Sequence, residues 1–334
     1  MSTPSHPKRP PQREPVKKRA KKSTKKKTKK KTQRQARPKR RQDQPASQVD
    51  YVNLKAALDH LRAHVDSDAR VAADPIRFPK RFSNPQDQEV ISLFAALLAY
   101  GRVSAIGNAL EDVLQRIGPN PAIASITDAS AWRDHKITPV RFEGFIYRFT
   151  RGVDLHKLWL GVGGVLLEHQ SLGDVLRSSL TLNDSTLMSA YQGLYEHIQH
   201  HSEGVIGGRG FAHLLSDPRR GSALKRVNMW LRWMVRGPDL VDLGLWSDLG
   251  PERLILPLDV HTFRLSRALG LTTRRTPDLK AALEITQHLS VLAPTDPISY
   301  DFALAHLGIS GACKGRRITE VCQGCPLNTL CTLS

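Results

Sequence analysis

The sequence predicts an all-α protein whose helical body ends in a closed four-cysteine ligand loop. Three observations carry that prediction. Apolar residues recur at helical spacing over most of the chain beyond residue 50. No run alternates apolar and polar residues as a half-buried strand requires, and no fixed-period repeat is present. All four cysteines, Cys313, Cys322, Cys325 and Cys331, fall within 19 residues with the spacing C-x8-C-x2-C-x5-C. Four thiolates gathered in one turn-rich segment can hold a tetrahedral metal ion or a four-iron cluster.

The chain has 334 residues and is 40% apolar, enough for a sizeable core. Its formal charge of +19 is spread unevenly. Residues 1–50 hold 19 Lys and Arg against 3 acids, whereas the other 284 residues hold 31 against 28. Residues 1–48 are therefore a lysine-rich tail, as in Lys25-Lys26-Lys27-Thr28-Lys29-Lys30-Lys31. Self-repulsion and the scarcity of apolar residues predict disorder there. Such a tail suits a non-specific anchor on nucleic-acid phosphates; a solubilising tail, or an import signal in a eukaryote, is the alternative. The N-terminus lacks the apolar core of a secretion signal. The most apolar runs, residues 90–100 and 158–167, are too short to cross a bilayer, so no membrane partner is expected. Clustered cysteines in an unsecreted chain favour metal or cluster binding over disulfides, and the cytoplasm as the compartment.

From Tyr51 the pattern turns helical, with Val52, Leu54, Leu58, Leu61 and Val65 on one stripe. Asn84 is a good N-cap, Pro85 suits the first helical position, and acids occupy the first turn. The helix over residues 90–100 is apolar nearly all round and belongs in the middle of a core. Helical patterns continue over 105–117, 141–150, 155–168 and 184–200. Turn signals at Gly118-Pro119-Asn120-Pro121 and between Gly204 and Gly210 separate them.

Three later segments could carry chemistry. In residues 221–236, Leu224, Val227, Leu231 and Met234 form an apolar stripe, with Lys225, Arg232 and Arg236 on another face and Arg226 beside it. The basic turn Asp217-Pro218-Arg219-Arg220-Gly221 leads into that helix. A glycine turn at a helix N-terminus presents free backbone N–H groups that suit a phosphate. The plainer reading is an amphipathic helix with a solvated basic face. In residues 256–271, Asp259 follows an extended Leu-Pro-Leu and precedes a helix, where it could serve simply as the N-cap, with His261 in the first turn. Residues 297–308 form a helix running straight to Cys313.

The order of these features resembles the helix-hairpin-helix DNA glycosylase superfamily, in particular its endonuclease III-like branch with a C-terminal iron–sulfur loop. Leu258-Asp259-Val260-His261-Thr262-Phe263-Arg264 is similar to that family's Val-Asp-Thr-His-Ile-Phe-Arg. Cys322-Gln-Gly-Cys325-Pro-Leu-Asn-Thr-Leu-Cys331 matches the last three ligands of its cluster loop. Gly221 to Asn228 lines up with the second hairpin helix and puts Lys225 on the catalytic lysine. Leu97-Leu98-Ala99-Tyr100 falls where the family carries a residue that wedges into the duplex. The chain also resembles an uncharacterised bacterial family with the same Leu-Arg-Trp-Met-Val-Arg run. Three features depart from the branch: Ala223 replaces the hairpin's second glycine, an insertion separates Lys225 from Asp259, and the first cysteine gap is eight residues rather than six.

The resemblance implies a two-lobed helical glycosylase fold and a damaged double-stranded DNA substrate. Such enzymes flip the target base into a pocket. Asp259 would stabilise the positive charge that develops on the sugar, and Lys225, if neutral, would attack the sugar carbon to form a Schiff base that permits β-elimination at an abasic site. Tyr100 would stack in the gap left by the base. Arg102, Arg219, Arg220, Gly221, Arg226 and His261 would contact DNA, as would Lys314, Arg316 and Arg317 on a loop shaped by a structural [4Fe-4S] cluster, with zinc as the rival metal. The protein would act as a monomer in the bacterial cytoplasm on the nucleoid, or in a eukaryotic nucleus. Two rivals stay open: a non-catalytic binder of DNA structure on the same scaffold, and a zinc-stabilised RNA-binding protein.

Overall fold

A computed structural model describes residues 49–64, 71–138, 140–309 and 311–333. The basic tail lies outside the described residues. The chain divides into two units, Met1–Gln44 and Pro45–Ser334, and every described residue belongs to the second.

Helix α1 (Tyr51–Ala63) starts where Asp50 accepts the backbone N–H of Asn53. Helix α2 (Pro85–Leu97) is set by Asn84, whose side chain accepts from the N–H groups of Gln86 and Asp87, and by Pro85 at the first position. Residues Glu89 to Leu97 are all buried, so α2 is the central helix that its all-round apolar sequence predicts. It stops at Leu97, and Leu98 to Tyr100 leave it as a turn rather than as a last helical turn. Helices α3 (Val103–Ile117), α4 (Pro121–His135), α5 (Gly152–Glu168), α6 (Leu172–Ser179) and α7 (Met188–His201) follow it along the chain. A short turn, α8 (Phe211–Leu214), precedes α9 (Lys225–Val235), α10 (Val260–Ala268), α11 (Leu279–Leu292), α12 (Asp301–Ile309) and α13 (Thr319–Cys322).

Polar side chains lock α2 into the core. Trp230 of α9 donates from Nε1 to Ser92 Oγ (2.8 Å), and Trp246 donates to Glu89 (2.7 Å), with the two indoles edge to face at 5.0 Å. Asp87 accepts the Ala122 N–H at the start of α4 (2.7 Å). Tyr300, just before α12, donates to Asp59 of α1 (2.8 Å). Each of these polar groups thus has a partner on another element, as burial demands.

Residues 141–150 correct the helix expected there. They form turns and a two-stranded antiparallel ribbon, β1 (Ile146–Tyr147) with β2 (Thr150–Arg151). Gly144 (φ 73°) and Arg148 (φ 52°) take left-handed conformations that a right-handed helix excludes. Phe142, Phe145, Tyr147 and Thr150 are all buried, and this irregular path is what brings them inward. No helix among the described residues is long and apolar enough to cross a membrane.

Candidate functional site

Gly221 and Leu224 both adopt positive φ (72° and 48°), turning the chain sharply into α9. Ser222 bridges to Asp278, and Leu279 N–H donates to Gly221 O (3.1 Å), so the turn is pinned by the start of α11. No side chain caps α9. Its first N–H groups are left for water or a ligand, as the glycine turn predicts. Leu97, Ser216 and residues 222–227 line a solvent-open pocket of about 230 Å³ at that terminus.

Lys225 is half-buried in this pocket, with Nζ 3.7 Å from Met229 Sδ. Asp259 is also half-buried and caps α10: its Oδ1 accepts the N–H groups of His261 and Thr262, each at 2.9 Å. Asp259 does not line the Lys225 pocket. Both bear on a third residue. Burial pushes the Asp301 carboxyl up, against the pull of Arg232 and Lys225, while Asp259 adds to the rise. Asp301 at the head of α12 therefore lies within electrostatic reach of both. Asp74 joins them: burial raises its pKa, and its acceptance of the Ile76 N–H together with Lys225 and Arg232 oppose the rise. Sequence reading passed over Asp74, although Asp74-Pro75 carries the same capping signature as Asn84-Pro85.

The basic face of α9 does not face solvent. Arg232 is buried and pairs with Asp301 (2.7 Å) and Asp242 (3.3 Å). Arg236 pairs with Asp242 and, at 2.9 Å, with Asp296. Arg226 turns back to the carbonyls of Leu97 and His213, its guanidinium 5.2 Å from the Tyr100 ring centre, and burial lowers its pKa. Arg219 is engaged within its own turn by Asp217 (2.9 Å). Arg102, Arg220 and Gly221 are exposed. His261 packs against Gly308 of α12.

Tyr100 is built into the structure. Its hydroxyl is 2.8 Å from Thr150 Oγ1 and donates to Tyr147 O at 3.1 Å. Around it sit Tyr147 (5.0 Å), His213 (4.8 Å) and Phe149 (6.3 Å, stacked). Burial lowers the His213 pKa, with Arg226 and Arg148 adding to the effect. Phe149, at the ribbon tip, is 60% exposed. An aromatic on a solvent-facing turn is a stacking surface. The expected helix over 141–150 hid it from sequence reading.

The four cysteines line one apolar pocket with Leu265, Leu269, Leu307 and Leu327. Burial pushes the Cys325 thiol up, against a hydrogen bond from the Leu327 N–H and with the other three cysteines adding to the rise. Among the described residues, no three of the four sulfurs lie within 4.8 Å of one another. A tetrahedral zinc ion with Zn–S near 2.3 Å would place them about 3.8 Å apart. Lys314, Arg316 and Arg317 rim the same pocket and are exposed, with Arg317 donating to Asn328 (3.0 Å).

The molecule is thus a helical protein in which a lysine and two aspartates sit at the starts of three helices, α9, α10 and α12, and four thiols line one pocket. It belongs to the family described as "Protein of unknown function (DUF2400)", whose model matches residues 74–310. That span includes Lys225, Asp259, Asp74 and Asp301 and stops short of the cysteines. No curated protein and no solved structure matched the chain.

Proposed function

We propose that this protein is a DNA base-excision glycosylase with abasic-site lyase activity, built on a two-lobed helix-hairpin-helix scaffold. The observation that carries this reading is the convergence around Asp301. Lys225 lines the pocket at the start of α9, Asp259 caps the start of α10, and the charges of both act on buried Asp301. The uncapped N-terminus of α9 supports a phosphate there. In the proposed reaction, Asp259 stabilises positive charge on the sugar while the base departs with the glycosidic electrons. Lys225, once deprotonated, bonds through Nζ to that sugar carbon; the bond from the carbon to the ring oxygen then breaks, the oxygen takes the proton that Nζ gives up, and an iminium forms. The resulting iminium loses a proton from the adjacent carbon and expels the 3′ phosphate. Water then releases the lysine.

Cys313, Cys322, Cys325 and Cys331 would hold a [4Fe-4S] cluster, which would serve structurally by shaping the loop that carries Lys314, Arg316 and Arg317. Four thiols around one apolar pocket support a metal centre there. Damaged duplex DNA is the proposed partner, bound by a monomer on the nucleoid.

Borohydride trapping with a panel of lesion-bearing and abasic duplexes tests the reading. A covalent adduct is expected from the wild type, and its loss from K225A. Salt-sensitive DNA binding with no adduct, unchanged in K225A and D259N, would overturn the enzyme and leave a non-catalytic binder on the same fold.

A further inference from the structure

Helices α5 and α7 pack side by side in the same direction, with Gly161 facing Ile198 and Gly164 facing His201. A Cβ at Gly161 would come within 2.6 Å of the Ile198 carbonyl oxygen, and one at Gly164 within 2.4 Å of His201 Cβ. The close approach therefore requires small residues on α5. Both helices end at the same place. Their last turns bring Glu168 of α5 against His197 and His201 of α7, with one carboxylate oxygen and two imidazole nitrogens all within 4.8 Å of one another. Among the described residues, no other set of three His, Cys, Asp or Glu ligand atoms meets that spacing.

Three further observations point to a cation here. Histidines four positions apart share one helix face, the spacing at which two imidazoles clamp a metal. His201 Nε2 sits 3.3 Å from Glu168 Oε2 and is buried without a hydrogen-bond partner. Two helix C-termini add their partial negative charge at the same point.

We infer that Glu168, His197 and His201 form a divalent transition-metal site of the zinc class, separate from the cysteine loop. Zinc held by nitrogen and oxygen at about 2.0–2.1 Å brings its ligands about 3.3 Å apart. Glu168 Oε2 already stands at that distance from His201 Nε2, and its side chain, 52% exposed, is free to adjust toward His197. Two imidazoles and one carboxylate leave a fourth position for water or another ligand. A cleft of about 420 Å³, lined by Glu168, His200 and His201 with Arg133 and Lys136 across it, opens on this side. The absence of thiolate or thioether from the set selects against Cu(I).

The test uses the full-length protein with its cysteine loop loaded as purified. Titration calorimetry with Zn²⁺ should give one equivalent beyond the metal already bound, together with a rise in melting temperature. E168Q and H197A should each weaken that equivalent at least tenfold and abolish the thermal shift. Because Glu168 is exposed, E168Q keeps the fold. Co²⁺ bound at the site should show visible d–d bands without thiolate-to-cobalt charge transfer. Wild-type Zn²⁺ affinity in both variants, or a thiolate band in the cobalt spectrum, would overturn the site.

Discussion

Phe149 and Tyr100 divide the work of one aromatic cluster. The Tyr100 hydroxyl is tied to Tyr147 and Thr150, whereas Phe149 offers its ring to solvent over the same group. If this surface meets unstacked bases, F149A should weaken binding to lesion-bearing duplex by about 1–3 kcal/mol, about 5- to 150-fold in Kd. Fluorescence anisotropy reads it directly, and unchanged affinity would remove Phe149 from the interface. A second residue carries a pH signature. Burial pushes the Glu89 carboxyl up to about 7 from its ordinary 4.5, against hydrogen bonds from Trp246 and the Leu172 N–H. A raised folded-state pKa means the carboxylic acid is favoured by folding. Its contribution is fully present below about pH 4.5 and is lost as the pH rises through about 7. The change is at most about 3 kcal/mol. Urea unfolding between pH 4.5 and 8 should show the loss in the wild type and a flatter profile in E89Q.

At the scale of elements, α9 binds the site to the core. Arg232 spans from α9 to Asp301 at the head of α12 and to Asp242, all three buried. Removing Asp301 leaves buried Arg232 only its 3.3 Å contact with Asp242, which Arg236 shares, so D301A should cost about 3–5 kcal/mol, measured by denaturant midpoint. A loss below about 1 kcal/mol would show that the pair contributes little. The same helix marks the limit of what the sequence discloses. Helix α2 was legible because Asn84-Pro85 and an unbroken apolar run are local signals. So was the Gly221 turn, whose left-handed φ and uncapped helix follow from nearby residues. The fate of the basic face was not, because Asp242, Asp296 and Asp301, which neutralise Arg232 and Arg236, arrive from segments that only folding brings near. The ribbon over 146–151 was hidden because its burial follows from Arg148 and Gly144 going left-handed, not from period. Lys225 and Asp259 look unrelated along the chain, and Asp301 is the residue that links them.

For the whole molecule, charge is divided by region. Most of the positive excess belongs to residues 1–50, and the rest of the chain is close to neutral. Deleting residues 1–48 should make the log–log salt dependence of DNA binding shallower, since fewer counterions are released, while leaving the Lys225 adduct chemistry intact. Filter binding across a salt series decides between that and a tail with no DNA role, for which the slope is unchanged.

Helix α10 ties the carboxylate to the sulfur loop. Asp259 caps its first turn. Its last turn is gripped by the cysteine loop, where the Thr332 N–H and hydroxyl both donate to Ala268 O at 2.9 Å, and where Leu265 and Leu269 wall the sulfur pocket. Nine residues make a rod about 14 Å long, too short to bend. One short helix is thus clamped at both ends, by a carboxylate at its start and by the segment that carries the sulfurs at its finish.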